Sequence, residues 1–139
     1  MQKTYRSWEK AFVNRKILVV DDEFDLQNLV KTCLEIMGGW QVVTAGSGAE
    51  ALGKAQKLYI DVILLDLMMP EMDGLAVLQE LRSRDDTNQI PVVLLTAKGQ
   101  AIEADQFAHL KVLGIIKKPF DPMRLADQVD QLLSNELES

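Results

Sequence analysis

Polar residues capable of chemistry follow four of the five short apolar runs in this 139-residue chain. Asp21 and Asp22 follow the first run, Asp66 the third, Thr96 the fourth, and Lys117-Lys118 the fifth. If the runs are parallel strands of one open sheet, their carboxyl ends lie at one edge, where such sheets bind ligands. We therefore expect three carboxylates, a hydroxyl group and an ammonium group in one pocket.

Three carboxylates in one pocket have a chemical consequence. Two carboxylates about 4 Å apart repel by about 4 kcal/mol at an effective dielectric constant of about 20, so the three require a cation among them. A small site with only oxygen ligands suits Mg²⁺, which takes one or two carboxylates and keeps several waters. A carboxylate beside Mg²⁺ and a lysine can attack phosphorus, and the Thr96 hydroxyl can donate to a phosphoryl oxygen. The pattern predicts phosphoryl transfer to a carboxylate.

The apolar runs themselves predict the sheet. They comprise residues 17–20, 42–45, 62–65, 92–95 and 112–116. Most are apolar at every position, which is typical of parallel strands covered by helices on both faces. Helical periodicity separates the runs, and it is clearest at Leu26, Leu29, Val30, Cys33, Leu34 and Met37 and at Leu125, Val129, Leu132 and Leu133.

Boundary signals complete the predicted topology. Ser47 is a candidate N-cap with Glu50 three residues later, and Gly38-Gly39 is a stop signal after the first helix. Among the predicted helices, the segment 99–110 shows the weakest apolar periodicity, so its boundaries are the hardest to place from sequence. Five β–α units predict an α/β fold, a doubly wound five-stranded parallel sheet of order 2-1-3-4-5. In that order the switch point lies between the first and third strands, beside the three aspartates.

Composition limits the function classes. The chain has 15 Lys and Arg against 21 Asp and Glu, and a net charge of −6 argues against binding nucleic acid through a basic face. Cys33, the only cysteine, stands among apolar helix positions, which predicts a buried and unreactive thiol. No apolar run approaches the roughly 20 residues that span a bilayer, and residues 1–14 lack the apolar core of a signal peptide. We expect a cytoplasmic protein without a membrane partner.

We divide the chain into an N-terminal extension (1–14), one domain (15–135) and a C-terminal tail (136–139). In the extension, Tyr5, Trp8 and Phe12 are spaced three and four residues apart. They could form one face of a short helix that packs on the domain or on a partner. A partly ordered tail is the alternative.

Four motifs resemble those of the receiver domains of two-component response regulators. They are Ile17-Leu18-Val19-Val20-Asp21-Asp22-Glu23, Leu65-Asp66-Leu67-Met68-Met69-Pro70-Glu71-Met72-Asp73-Gly74, Leu95-Thr96-Ala97 and Lys117-Lys118-Pro119-Phe120. Their order and spacing make the resemblance specific, and it covers about residues 15–135. It implies the flavodoxin-like receiver fold.

The resemblance also implies the acceptor and the metal site. Asp66 is similar to the family's phosphoacceptor. Asp21 and Asp22 resemble the acidic pair that binds Mg²⁺ directly and through water. Asp66 and the backbone carbonyl of Met68 are implied as further ligands of the ion.

The remaining matches concern the switch. Thr96 is similar to the family's switch hydroxyl, and Lys118, directly before Pro119, to its essential lysine, with a bond before the proline that is usually cis. Lys117 is one residue off in a strand of period two and should point away. Receivers commonly carry an aromatic residue where this chain has Ile115, which is either a core residue or the mark of an altered switch.

We therefore expect a stand-alone receiver. The resemblance implies that Asp66 accepts a phosphoryl group from a histidine kinase or a histidine phosphotransfer protein. The signal would then leave by protein contact through the face of the fourth helix, fifth strand and fifth helix. We expect no nucleic-acid partner and no enzyme activity beyond the chain's own phosphorylation and dephosphorylation.

Three alternatives stand beside this expectation. A receiver could act as a docking module regardless of phosphorylation, with Ile115 and the N-terminal aromatic residues as hints. A phosphatase working through an aspartyl-phosphate often has a second Asp where this chain has Met68. The pattern Gly46-x-Gly48-x-x-Ala51 outlines a dinucleotide site, but 139 residues cannot hold both mononucleotide halves.

Overall fold

The computed structural model describes residues 15–67, 69, 73–96 and 110–138, with residues 136–138 described by backbone alone. Within these ranges the strands are β1 (Lys16–Val20), β2 (Gln41–Ala45), β3 (Val62–Asp66), β4 (Val92–Thr96) and β5 (Val112–Lys117). The helices are α1 (Phe24–Gly38), α2 (Gly48–Lys57), α3 (Gly74–Ser83) and α4 (Leu125–Glu138). The N-terminal extension, Met68 and nearly all of the helix predicted at 99–110 lie outside the described residues. The helix named α4 is therefore the fifth of the predicted helices.

The strands form one parallel sheet of order β2-β1-β3-β4-β5, so the predicted order is confirmed. Strand β1 pairs with both β2 and β3, and the chain reverses its direction of winding there. Val20, the last residue of β1, lies opposite Ala45 and Leu65. Asp21 and Asp66 each come one residue later, which places both at the switch point.

Two apolar layers enclose the sheet because successive strand residues point to opposite faces. On one face, Leu18, Val20 and Leu65 pack with α2 and α3. On the other, Ile17, Val19 and Leu64 pack with α1 and α4. Each such buried side chain stabilises the fold by about 1.5–3 kcal/mol relative to an exposed one. Every residue of β3 and β4 is buried, as the uninterrupted apolar runs predict.

The helix ends follow local chemistry. The Ser47 hydroxyl accepts a hydrogen bond from Glu50 N–H at 3.1 Å and caps α2, which confirms the predicted N-cap. Gly39, at φ 67°, ends α1 in the left-handed conformation that favours glycine. Helix α4 continues to Glu138, beyond the boundary at residue 135, because neither Gly nor Pro interrupts the sequence after Leu133.

Some side chains are less buried than their periodicity predicts. In α1 the buried residues are Gln27, Val30 and Leu34, whereas Leu29 and Met37 are exposed. Cys33 is half-buried rather than buried, although burial still raises the pKa of its thiol and so lowers its reactivity. Ile115 is 42% exposed, so the interpretation of this residue as core is wrong: β5 is an edge strand of the sheet.

Among the described residues, no helix is long and apolar enough to cross a membrane.

Candidate functional site

Three aspartates meet at the carboxyl ends of β1 and β3. Asp21, Asp22 and Asp66 each offer a carboxylate oxygen, and these oxygens lie within 4.8 Å of one another. Asp21 and Asp66 are buried and Asp22 is exposed, so the cluster reaches from the end of the sheet to solvent. The structure brings together the three carboxylates that the sequence placed at the switch point.

The backbone around Asp21 is held by several hydrogen bonds. Its N–H donates to Ala45 O at 3.0 Å, which extends the pairing of β1 with β2 by one residue. The buried Gln27 amide in the first turn of α1 donates to Asp21 O at 3.0 Å and to Ala45 O at 3.2 Å. Gln27 is a site-building residue that the sequence analysis missed. A polar residue on the buried face of a helix was the signal that could have found it.

The Asp21 carboxylate is incompletely satisfied. Its Oδ1 accepts a hydrogen bond from Glu23 N–H at 2.9 Å, while its buried Oδ2 has no hydrogen-bond partner among the described residues. Burial raises the pKa of Asp21 to about 6, the Glu23 hydrogen bond opposes that rise, and repulsion from Asp66 adds to it. A cation placed among the three carboxylates would give this oxygen a partner and offset the repulsion.

Lys118 supplies a positive charge to Asp66. Its Nζ lies 2.9 Å from Asp66 Oδ2 in a partly buried ion pair. The Lys118–Pro119 bond is cis, as the resemblance implied, and Lys118 N–H donates to Thr96 O at 2.7 Å. The ammonium group therefore reaches Asp66 from a backbone fixed against the end of β4.

A bulge in β5 decides which lysine makes that contact. Val92 lies opposite Val112, but Val93 lies opposite Gly114, so one residue of β5 is skipped. After this shift, Ile116 lies opposite Leu95, which lies opposite Asp66. Because side chains alternate, Lys118 shares the sheet face of Ile116 and Asp66. An unshifted strand would place Lys117 on that face, whereas in the observed register Lys117 lies opposite Thr96 and is exposed.

Thr96 ends β4 next to this pair and is buried, at 1% exposure. Its carbonyl oxygen accepts a hydrogen bond from Lys118 N–H, so the backbones of Thr96 and Lys118 are held together. The sequence prediction that both lie at this edge of the sheet is confirmed in position.

Gly74 allows α3 to begin against the backbone of the site. A Cβ at this position would lie 2.8 Å from Asp66 O and 2.7 Å from Leu67 Cα, too close for any side chain. The preceding Asp73 caps α3 by accepting from Leu75 N–H at 3.0 Å. The Asp73-Gly74 dipeptide could be recognised in the sequence as a helix start. Its closeness to Asp66 could not be deduced from the sequence.

The comparisons with known proteins decide the family. The sequence model of the response regulator receiver domain matches residues 17–130. The chain belongs to this family. As a receiver domain it is a component of two-component signalling. Phosphorylation and Mg²⁺ are typical of the receiver family.

Curated relatives support the assignment. The chain is 40% identical over 119 residues to a "Probable transcriptional regulator ycf27" of Cyanophora paradoxa, covering 86% of this chain and 48% of the relative. It is 37% identical over 121 residues to the "Alkaline phosphatase synthesis transcriptional regulatory protein PhoP" of Bacillus subtilis, covering 87% and 49%. The receiver thus spans about half the length of the curated relatives that it matches.

Solved structures agree with the fold. The chemotaxis protein CheY4 of Vibrio cholerae, crystallised at low pH, superimposes with a TM-score of 0.78 at 30% identity, covering 86% of this chain and 99% of that one. The receiver domain of the Francisella response regulator 1452 gives a TM-score of 0.75 at 30% identity, with 88% and 99% covered.

Receiver domains generally bind Mg²⁺ at an acidic pocket, and the residues of this receiver fit such an ion. The fit depends on the three clustered carboxylates and on the buried, unpartnered Asp21 Oδ2. The backbone carbonyl of Met68, implied as a further ligand, lies outside the described residues.

The glycine pattern after β2 forms the turn and the N-terminal cap of α2. Gly46 N–H donates to Glu50 Oε1 at 2.8 Å, while Ser47 Oγ accepts from Glu50 N–H, so the two ends of the first turn are tied reciprocally. Gly48 is buried as the first residue of α2. This turn and cap account for Gly46 and Gly48 without a dinucleotide.

A separate cleft of about 310 Å³ lies at the opposite end of the sheet. It is formed by the segments that precede β3 and β4, and its lining includes Tyr59, Asp61, Asp85, Asp86 and Pro91. None of the residues predicted for the site lines this cleft. The predicted site residues that the structure describes lie instead at or just beyond the carboxyl ends of the strands.

Proposed function

We propose that this receiver accepts a phosphoryl group on Asp66 from a phosphohistidine of a histidine kinase or a histidine phosphotransfer protein, in the presence of Mg²⁺. The observation that carries the proposal is the 2.9 Å contact between Lys118 Nζ and Asp66 Oδ2 beside the carboxylates of Asp21 and Asp22. A carboxylate flanked by a fixed cation on one side and a carboxylate cluster on the other is suited to hold a transferred phosphoryl group.

The side chains of Asp21, Asp22 and Asp66 would hold the ion, with the Met68 carbonyl as a candidate further ligand. When bound, Mg²⁺ supplies positive charge that neutralises the phosphoryl oxygens. Asp21 Oδ2 supports this assignment because it is buried and lacks a hydrogen-bond partner among the described residues. Asp22, the exposed member of the cluster, lies on the side from which a donor would approach.

In the transfer, a carboxylate oxygen of Asp66 forms a bond to phosphorus while the phosphorus–nitrogen bond of the donor breaks. The departing imidazole nitrogen keeps the electron pair of that bond and takes up a proton from solvent. Lys118, already paired with Asp66, is placed to donate to an oxygen of the new phosphoryl group. Thr96 can donate its hydroxyl to another of these oxygens.

The proposed output depends on the charge that Asp66 gains. The phosphoryl group carries about −1.5 to −2 charges and three acceptor oxygens but replaces the single negative charge of the Asp66 carboxylate, so the site gains up to about one negative charge, and these oxygens attract Lys118 and the Thr96 hydroxyl. Because Lys118 N–H is bonded to Thr96 O, a shift at one residue is transmitted to the other and to β5. The partner surface we propose is the face that includes β5, where Ile115 is exposed, and α4. The helix predicted at 99–110 would complete it.

Labelling by phosphoramidate, a small donor with a phosphorus–nitrogen bond, tests the proposal. We expect the wild-type chain to gain one phosphoryl group by mass spectrometry with Mg²⁺ and none after chelation, and Asp66→Asn to gain none. Asp73→Asn is the matched control, since Asn caps a helix as well as Asp does. An unlabelled wild-type chain, or Asp66→Asn labelled like wild type, would refute the acceptor.

A second candidate is a docking module of receiver fold that is indifferent to phosphorylation, and the exposed Ile115 on β5 favours it. It predicts that a partner binds wild type and Asp66→Asn with equal affinity. We propose no phosphatase activity on other substrates, and turnover of a phosphate ester by the purified chain would contradict that.

A further inference from the structure

The side-chain amide of Gln27 joins α1 to the carboxyl ends of β1 and β2. Gln27 is 8% exposed, and its Nε2 donates to Asp21 O at 3.0 Å and to Ala45 O at 3.2 Å. An amide nitrogen carries two hydrogens, so both are used in these contacts. A buried amide is costly to the fold unless its hydrogen bonds are made. Gln27 therefore holds the backbone of Asp21 from the helix side.

The same residue sets the position of the first turn of α1. Glu23, the N-cap residue, makes no side-chain capping hydrogen bond within the described part of the chain. The Gln27 backbone N–H donates to Glu23 O at 2.9 Å, while the Gln27 side chain is bonded to Asp21. Gln27 thus ties the start of the helix to the edge of the sheet, where a capping side chain does not.

The position of this turn controls the carboxylate of Asp21. Glu23 N–H donates to Asp21 Oδ1 at 2.9 Å, which fixes one of the two carboxylate oxygens. The other oxygen, Oδ2, is buried and has no hydrogen-bond partner among the described residues. Oδ2 is therefore the oxygen that Asp21 can offer to a cation, and its orientation follows from the hold on Oδ1.

A carboxylate that is held in one orientation discriminates between cations. Mg²⁺ requires nearly octahedral ligands at about 2.0–2.1 Å, whereas Ca²⁺ accepts six to eight oxygens at about 2.3–2.6 Å in a flexible geometry. Removing a group that orients a metal ligand typically lowers the affinity for the metal about 10–100-fold. Because Ca²⁺ tolerates a displaced ligand better than Mg²⁺ does, loss of the hold on Asp21 should weaken Mg²⁺ binding more.

We propose that Gln27 is a positioning residue that raises the preference of the carboxylate cluster for Mg²⁺ over Ca²⁺. It acts through the backbone of Asp21 and, by way of Glu23, on the Asp21 carboxylate. This inference rests on the Mg²⁺ site of the proposed function. It extends that proposal by assigning cation selectivity to a residue outside the proposed ligands.

Cation titrations of this 139-residue chain test the proposal. Binding of MgCl₂ and of CaCl₂ is followed separately by amide NMR signals at one pH and one ionic strength. Gln27→Met keeps the approximate size of the side chain and removes both donated hydrogen bonds. We expect the affinity for Mg²⁺ to fall about tenfold and that for Ca²⁺ by less than about threefold, so the ratio of the two affinities falls by about threefold or more.

Two control variants separate positioning from a general effect on the fold. Gln41→Met makes the same substitution at an exposed position of β2 and should leave both affinities within about twofold of wild type. Val30→Ala removes buried apolar volume from the same helix, so it should lower the urea midpoint but leave the ratio of affinities unchanged. Gln27→Asn keeps the amide on a side chain one methylene shorter. It should show the same shift in smaller degree, and it carries the test if Gln27→Met does not fold.

The outcomes distinguish this inference from the proposed metal site. A wild-type chain that does not bind Mg²⁺ would overturn both. Mg²⁺ binding by wild type, with no loss or with equal loss of the two ions in the Gln27 variants, would overturn the inference alone. A fall in the ratio of affinities in Val30→Ala as large as in Gln27→Met would also overturn it, because the change would then follow from destabilisation of α1.

Discussion

Lys118 Nζ and Asp66 Oδ2 form a 2.9 Å ion pair between residues that are 52 positions apart in the chain. The pair depends on the β5 bulge, which brings Lys118 rather than Lys117 to the face of Asp66. Since Asp66 is buried and Lys118 is partly buried, the ammonium group offsets the mutual repulsion of three carboxylates. We therefore expect substitutions that change the balance between Lys118 and the three carboxylates to have large effects on stability.

Replacing Lys118 should destabilise the metal-free domain. Lys118→Met leaves Asp66 buried among like charges, and we expect a loss of about 1–3 kcal/mol in the free energy of unfolding, less than for a fully buried pair because Lys118 is partly exposed. Urea denaturation with a chelator present measures the loss. Lys117→Met, at the neighbouring exposed position, should change stability by less than about 0.5 kcal/mol. Equal effects of the two variants would contradict the assignment of Lys118.

The metal-free domain should lose stability as the pH rises because of Asp21. Its pKa of about 6 in the folded state exceeds the ordinary value of 3.8, so the folded state binds more protons than the unfolded state between these values. The penalty is absent below about pH 4 and complete by about pH 7, and two units of pKa correspond to at most about 3 kcal/mol.

Asp21→Asn removes that penalty. We expect the variant to be more stable than wild type by about 1–3 kcal/mol near pH 8 with a chelator, and the gain to vanish near pH 4. Asp22→Asn removes the same charge from an exposed position and should gain less. A gain for Asp21→Asn that is independent of pH would exclude ionisation of Asp21 as the cause.

A single methyl group at Gly74 should damage the site. In Gly74→Ala the new Cβ would contact Asp66 O and Leu67 Cα, and backbone atoms must move to admit it, so we expect a loss of about 2 kcal/mol or more. Labelling of Asp66 by phosphoramidate should fall with it. A Cβ at Gly53, in α2, would meet no atom of another element within 4 Å, so Gly53→Ala should stabilise the domain by up to about 1 kcal/mol. Similar losses in both variants would show that the crowding at Gly74 is not the reason.

Much of the fold could be predicted because the central strands are apolar at every position. In β3 and β4, burial on both faces leaves a continuous signal, and the polar residue that ends each strand locates the site. The edge strand β5 was harder, since its residues include both the buried Ile116 and the exposed Ile115. Its bulge left one signal, Gly114, because a glycine inside a strand often marks a bulge, although a glycine does not by itself show which position is skipped.

The sequence predicted the reactive residues of the site better than the residues that hold them in place. Asp21, Asp66 and Lys118 are distinctive together, because reactive residues that follow several strands of one parallel sheet are expected to meet at one edge. Gln27 and Gly74 are ordinary residues whose contribution depends on distances across the fold, so periodicity could not reveal it. In α1, periodicity identified an apolar face wider than the sheet covers, which left Leu29 and Met37 exposed.

The hydroxyl of Thr96 should be needed for the response to phosphorylation and not for the phosphorylation itself. Thr96→Val keeps the shape of the buried side chain and removes only the donor, so phosphoramidate should still label Asp66. The change in amide NMR signals of β5 on labelling should fall to less than about half of that in wild type, because the hydroxyl can no longer follow the phosphoryl oxygen. Thr96→Ser restores the donor and should restore the change. Full signal changes in labelled Thr96→Val would mean that β5 responds through Lys118 alone, and no change in labelled wild type would favour a docking module that is indifferent to phosphorylation.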